Sequence, residues 1–297
     1  ARKLESEDQR FKIFHRPFAE MNVALEGEAV QGVLLDVGVS NNQVDDAEHG
    51  FRITFDAPLD LRLNPGHGQP AAEWLQTVST EELAWVLHQY GEDDPLIADR
   101  LAERILQHQK RNGPYKSSGH FAKVVKDIKR LSYPISANIG KYATQANPAK
   151  RTLNAIRVFL NRELQQLKGG LGAAMEILEM GGRCVIITFN PAERRVVQKF
   201  LREHEDPPAS HLASLAPVRL SELYPLTATD LNFAVRRVTQ PRPPRGAEYV
   251  LQPRSRSSVL FVLTKVKRQS AKVTVPAANV RRVEERLRRP PAPSFRG

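Results

Sequence analysis

An α/β protein built on an open sheet is predicted by three features of this 297-residue chain. The first is the run Val33, Leu34 and Leu35, short, rich in branched residues and halted by Asp36 and then Gly38, the pattern of a buried strand ending at a sheet's carboxyl edge. The second is the apolar run from Arg183 to Phe189, preceded and followed by stretches of helical spacing. The third is SSVLFVLTKV, Ser257 to Val266, which reads as a last strand.

Taken in order, a polar lead of ten residues precedes Phe11 to Phe14, a short strand candidate, and then His15, Arg16, Pro17 and Phe18. Next comes the strand ending at Asp36. The carboxyl edge is where open α/β sheets bind ligands. A carboxylate there, with Gly38 for close backbone approach and Ser40, Asn41, Asn42 and Gln43 as hydrogen-bonding groups, suits a polar small molecule or a nucleobase. On spacing alone, an ordinary strand-to-loop transition reads as well. After a loop-rich crossing over 51–67, Ser79 with Glu82 forms a capping box ahead of Leu83, Val86 and Leu87. Pro95 opens a helix with Ile97, Leu101 and Ile105 on one face and Gly113 closing it, and a third helix covers His120 to Leu131.

Leu153, Ile156, Leu160, Leu164 and Leu167 recur at helical spacing, predicting one helix over Pro148 to Leu167 ended by Gly169 and Gly170. A second, Leu171 to Met180, is expected to stop at Gly181 and Gly182 and lead into the strand Val185 to Phe189. Pro191 to His204 reads as the following helix. From Glu205 to Gln252 the chain is Pro-rich and poorly patterned, with Gln240 to Arg245 an extended linker. Beyond the last strand, Gln269 to Gly297 reads as an appended arm with a short basic helix at Asn279 to Arg289.

Composition narrows the function classes. A hydrophobic content of 41% is ordinary for a globular protein, and no apolar run approaches the roughly 20 residues of a membrane span. No membrane partner is expected. The single cysteine, Cys184, lies inside an apolar run, which excludes a disulfide framework or a cysteine zinc cluster within one chain and predicts a core residue. The net charge is +11, of which +8 falls between Thr264 and Gly297, where ten Lys or Arg face only Glu284 and Glu285. Thirty Arg outnumber fourteen Lys. Guanidinium groups clamp phosphate with two hydrogen bonds and stack on bases, so RNA is the first partner to test; no DNA partner is expected. A solubilising surface is the other reading of the tail.

The stretch Val33 to Phe51, VLLDVGVSNNQVDDAEHGF, resembles the D-L-G-V-S-S-P-Q-L-D-x-x-x-R-G-F signature of the MraW family of S-adenosylmethionine-dependent methyltransferases, which modify a cytidine amine in small-subunit ribosomal RNA. FDAPLDLRLN (Phe55 to Asn64) is similar to the family's D-G-P-L-D-M-R-M-D. QPAAEWLQ (Gln69 to Gln76), NPAKRTLNAIRVFLNREL (Asn147 to Leu164) and PRSRSSVL (Pro253 to Leu260) each have a counterpart in the same order. The resemblance implies a Rossmann-like methyltransferase sheet over residues 1–66 and 148–267, a helical insert over 67–147 that helps define an RNA cleft, and a basic tail over 268–297.

By the same resemblance Phe18, Asp36 and Gln43 fall on positions that contact S-adenosylmethionine, and Asp36 is the candidate to sit near the target amine. Arg62, Arg151, Arg157, Asn161, Arg254 and Arg256 keep the family pattern and are the expected RNA-binding set, with small-subunit rRNA and ribosomal or assembly proteins as partners. Three departures concern chemistry. No glycine-rich loop of the D-G-T-F-G-x-G-G-H-S type precedes Asp36, so either the chain is the remainder of a longer protein or half of the cofactor pocket has been dispensed with. The family's S-F-H-S-L-E-D-R has become TFNPAERR, Thr188 to Arg195, replacing His and Ser by Asn190 and Pro191 and an acidic residue by Arg194. Ser40, Asn41 and Asn42 depart from S-S-P, and Asn64 replaces an acidic residue.

Two readings follow. One is an rRNA-binding relative with reduced or no catalysis, acting in small-subunit assembly. The alternative is a working cytidine-N4 methyltransferase whose cofactor half lies outside this chain. The Arg-rich tail and drifted motifs point to an organelle ribosome, expected to be mitochondrial, with a bacterial-type cytoplasm as the alternative.

Overall fold

The computed structural model describes residues 2–51, 56–91, 93–132, 149–205 and 233–268. The basic arm 269–297 and its expected helix lie outside the described residues, as does most of the Pro-rich stretch before Phe233. The helices are α1 (Arg2–Glu7), α2 (Met21–Ala24), α3 (Asn41–Asp45), α4 (Ala71–Thr77), α5 (Thr80–Gly91), α6 (Pro95–Asn112), α7 (Ser118–Ser132), α8 (Ala149–Leu160), α9 (Glu163–Ile177), α10 (Pro191–His204) and α11 (Ala247–Leu251). The strands are β1 (Val30–Asp36), β2 (Leu178–Thr188), β3 (Phe233–Arg237) and β4 (Val259–Lys267), ordered β1-β2-β4-β3. Among the described residues no helix is long and apolar enough to cross a membrane.

β1 and β2 run parallel, with Leu34 opposite Val185 and Asp36 opposite Ile187, while β4 is antiparallel to both β2 and β3. The branched run before Asp36 is therefore in the sheet beside Val185 to Ile187, as the sequence predicts. Leu35, Cys184, Ile186, Phe261 and Leu263 point to one face and are buried against Leu167, Leu171 and Met175 of α9 and Val197, Phe200 and Leu201 of α10. Burial pushes the Cys184 thiol up to about 12, so it is an inert core group. On the opposite face Leu34 is 65% exposed.

A second core joins α4 to α8. Leu75, Leu83, Leu87, Leu101, Ile105, Phe121 and Val125 pack with Leu153 and Ile156 of α8, so this helix buries its apolar face among the helices rather than on the sheet. The starts of α5 and α6 follow the sequence reading: Ser79 Oγ accepts from Glu82 N at 3.1 Å, Asp94 caps Leu96 N at 3.0 Å, and Gly113 ends α6 at φ 85°.

Four expectations are corrected. The single helix Pro148 to Leu167 is two, because Arg162 takes a left-handed conformation (φ 51°, ψ 36°) between α8 and α9. Leu153 and Ile156 fill the helical core and Leu167 the sheet core, and an i, i+3, i+4 stripe runs through such a break unmarked. Gly169 and Gly170 do not end a helix but lie inside α9, where the chain around Phe18 presses on them. Gly181 and Gly182 are not a helix stop either. They form a bulge within β2, across which the partners move from Val30–Leu178 to Gly32–Arg183, and a Cβ on Gly182 would stand 2.9 Å from Glu179 O and 3.1 Å from Gln31 O. Phe11 to Phe14 is irregular rather than a strand, held by Ile13 N donating to Glu5 Oε1 at 2.9 Å.

Candidate active site at the carboxyl edge of β1 and β2

β1 ends at Asp36, whose side chain is exposed, and the next residue holds the turn in place through Val37 N donating to Ile187 O at 3.0 Å. Gly38 follows at φ 102°, a conformation open to glycine at little cost. Ser40 then caps α3 in a reciprocal box: Gln43 N donates to Ser40 Oγ at 3.2 Å, and Gln43 Oε1 accepts from Ser40 N at 3.0 Å. The Gln43 oxygen is thus committed to the cap, leaving its amide Nε2 as the group to face a ligand.

Opposite this loop, the turn after β2 is closed by a second box. Asn190 Oδ1 accepts from Glu193 N at 2.9 Å, while Glu193 Oε2 accepts from Phe189 N at 2.6 Å and Asn190 N at 3.2 Å, and Glu193 Oε1 from Asn190 Nδ2. Glu193 is 1% exposed, and burial raises its carboxyl pKa, with the neighbouring Glu163 adding to the rise and the backbone donors and Arg157 opposing it. Its Oε1 and the Phe189 ring stand 3.9 Å from where a Cβ on Gly38 would lie, so the two loops pack on one another.

Behind this edge is a charged layer. Arg157 of α8 forks onto Glu163 of α9 (Nε to Oε1 2.8 Å, Nη2 to Oε2 3.1 Å), both side chains nearly buried. Its guanidinium lies 5.9 Å above the Phe51 ring, which stacks on His49. Asn161, at the end of α8, accepts from Leu63 N at 2.7 Å and donates to Leu61 O at 2.7 Å, locking a loop in which buried Leu61 has φ 63°. In that loop Arg62 pairs with Asp60 through Nε and Nη2, each at 2.7 Å, and donates from Nη1 to Gly68 O at 3.2 Å. Burial pushes the Asp60 carboxyl up, but Arg62's hydrogen bonds and charge outweigh it and hold the group below its usual range.

The sequence-derived RNA set therefore divides. Arg62, Arg157 and Asn161 are committed to internal bonds that shape the edge. Arg151 is exposed on α8, and Arg256 is exposed with its guanidinium 5.3 Å above Tyr249; Arg254 lies in the same turn with its side chain outside the described residues. Of the cofactor set, Asp36 and Gln43 share the carboxyl edge, whereas Phe18 is placed on α9, its ring filling the space above Gly170. Sequence reasoning passed over Glu163, Glu193 and His49. The Asn190-x-x-Glu193 spacing is itself a capping-box pattern that was there to find.

Phe18 is 39% exposed, and a Cβ on Gly170 would fall 2.5 Å from its Cδ2. Gly170→Ala is expected to change global stability by no more than about 1 kcal/mol, because alanine favours the helix by about that much over glycine, while swinging the Phe18 ring outward. Chymotryptic cleavage after Phe18 should then quicken severalfold. Cleavage at the wild-type rate would show that the ring is not held by Gly170.

Comparison with known proteins finds relatives along most of the chain. The chain is 37% identical over 266 residues to the ribosomal RNA small subunit methyltransferase H of Burkholderia ambifaria, covering 88% of this chain and 78% of that one. It is 38% identical over 266 residues to the protein of that name from Burkholderia thailandensis, with the same coverage, and 36% identical over 258 residues to that from Polynucleobacter necessarius, covering 87% and 74%. With the profile described as the MraW methylase family matching residues 1–266 as well, the chain belongs to the MraW methylase family.

Proposed function

We propose that the chain is a small-subunit rRNA-binding member of this cytidine-N4 methyltransferase family in which methyl transfer is reduced, and that it acts during small-subunit assembly. The observation that carries the reading is the turn after β2. Asn190 has no proton to exchange near neutral pH, and both ends of its amide are engaged by Glu193; Pro191 has neither hydroxyl nor N–H. The one acid in that turn, Glu193, is buried and holds the backbone. Among the described residues this leaves the exposed Asp36 as the carboxylate at the strand end able to orient an amine, a smaller set than general acid–base assistance ordinarily uses.

The family's S-adenosylmethionine fits the edge in part. Asp36 would accept from its hydroxyl or amine groups, Gly38 lets the backbone approach and Gln43 would donate from Nε2, while Phe18 stands on α9 rather than at this edge. When bound, that molecule supplies an electrophilic methyl group. The chain's own contribution is orientation: Asp36 positions the cytidine amine, and the two capping boxes hold the loops on either side. In this reading the helices of residues 67–147 wall the RNA cleft, with Arg151 and Arg256 on its surface and the arm 268–297 adding sequence-indifferent attraction to phosphates. A mitochondrial ribosome is the proposed location, which confinement to the cytosol on imaging would overturn.

The test is transfer of a labelled methyl group from S-adenosylmethionine to small ribosomal subunits. Slow transfer, accelerated at least tenfold in the Asn190→His/Pro191→Ser variant, is the expected result. Wild-type turnover at the rate of the bacterial relatives would establish the working enzyme instead.

A further inference from the structure

Past β3 the chain does not leave the sheet. Val238 N donates to Val262 O at 2.8 Å, and Arg242 and Leu260 then exchange backbone hydrogen bonds at 3.0 and 2.9 Å, so the residues between bow away from β4. Prolines at 241, 243 and 244 stiffen this strip and withhold donors from it. Beneath the bow is a groove of about 700 Å³ whose lining includes Ile187, Leu260, Thr239, Arg242, Arg245 and Glu248. Its volume suits a molecule of nucleotide size.

Its place in the sheet gives it meaning. Asp36 is opposite Ile187, and Ile187 is opposite Leu260, so the three side chains form one row on one face of the sheet. Two strand spacings, about 10 Å in all, carry the row from the candidate catalytic carboxylate to the groove. That is a span that one to two nucleotides of an extended strand cover. The groove also holds an unanswered group: Thr239 Oγ1 is buried with no hydrogen-bond partner, where buried hydroxyls ordinarily have one.

We infer that this groove is a subsite for a nucleotide flanking the target in single-stranded RNA. Arg242 and Arg245 take the phosphate, Thr239 bonds the sugar–phosphate once its buried hydroxyl turns outward about χ1, and Glu248 offers an acceptor to an exocyclic amine of the base. The inference rests on the rRNA-binding reading above.

The test measures binding of the full chain to a single-stranded 20-nucleotide fragment of small-subunit rRNA and to an unrelated strand of that length, both carrying 4-thiouridine. Arg242→Ala/Arg245→Ala is expected to weaken binding of the rRNA fragment about tenfold per arginine, to flatten the salt dependence by about 0.7 per lost phosphate contact, and to remove photo-crosslinks to residues 239–248. Thr239→Val is expected to weaken binding severalfold while leaving the melting temperature unchanged or higher, a pairing that a purely structural hydroxyl would not produce. Unchanged affinity and salt slope in the arginine variant, with rRNA still preferred, overturn the subsite alone. Crosslinks in the groove without any preference for rRNA uphold the subsite and overturn the rRNA reading, and no binding of either strand overturns both.

Discussion

Arg157→Ala is expected to lower unfolding stability by about 3–5 kcal/mol, the cost of breaking a buried ion pair from one side. Arg157 and Glu163 are 12% and 7% exposed and meet through two parallel hydrogen bonds. Truncation strands the Glu163 carboxylate beside Glu193, whose own carboxyl is already raised by burial and by Glu163. A raised carboxyl contributes stability below its unfolded pKa and loses it as pH rises through the folded value. The deficit of the variant should therefore be greater at pH 8 than at pH 5, because protonation relieves the stranded pair. Arg157→Lys keeps a charge but not the fork, and an intermediate loss of about 1–2 kcal/mol is expected. Urea titrations at the two pH values decide the matter. Stability within about 0.5 kcal/mol of wild type, together with lost RNA affinity, would return Arg157 to the RNA-binding set.

Arg157 also shows where the sequence was legible and where it was not. The short branched runs before Asp36 and over Val185 to Phe189 mark strands because the edge of a sheet changes polarity abruptly, and in the structure the two pair in parallel with Leu34 opposite Val185. Ordered blocks such as LDLRLN and LNAIRVFLNREL carry the family. They do not say whether a retained arginine faces phosphate or protein. Arg157 and Glu163 are six residues apart, which is no helical spacing, and they meet only because Arg162 breaks the helix between them. Arg62 lies two residues from Asp60, within reach of it in any tight loop, and is held there. The glycine pairs misled for a related reason: glycine marks a turn, a bulge or a close approach alike, and only the neighbour pressing on it, Phe18 at Gly170 or Gln31 O at Gly182, separates them. Gln240 to Arg245 reads as a linker in the sequence because prolines interrupt the strand pattern, although the backbone still pairs with β4.

Lys129→Met is expected to be as damaging as the loss of Arg157, and its partner variant tests why. Lys129 Nζ stands 3.3 and 3.1 Å from the two oxygens of Asp93, with the side chains 6% and 5% exposed in the helical core. Burial lowers the lysine pKa, the charge of Arg151 adds to this, and Asp93 opposes it. Removing the ammonium alone leaves a buried carboxylate, at a cost of about 3–5 kcal/mol. Removing both charges in Lys129→Met/Asp93→Leu should restore most of that, because an apolar pair of similar volume has no desolvation to overcome. Between the depressed folded pKa and 10.5 the unfolded chain binds more protons, so in this alkaline window the wild type gains stability from Lys129 as pH rises, and the single variant lacks that gain. Because both side chains are buried in the helical core and removing the pair leaves the net charge unchanged, RNA affinity of the double variant should match the wild type. Losses that add in the double variant, rather than cancel, would show that Lys129 and Asp93 serve other partners.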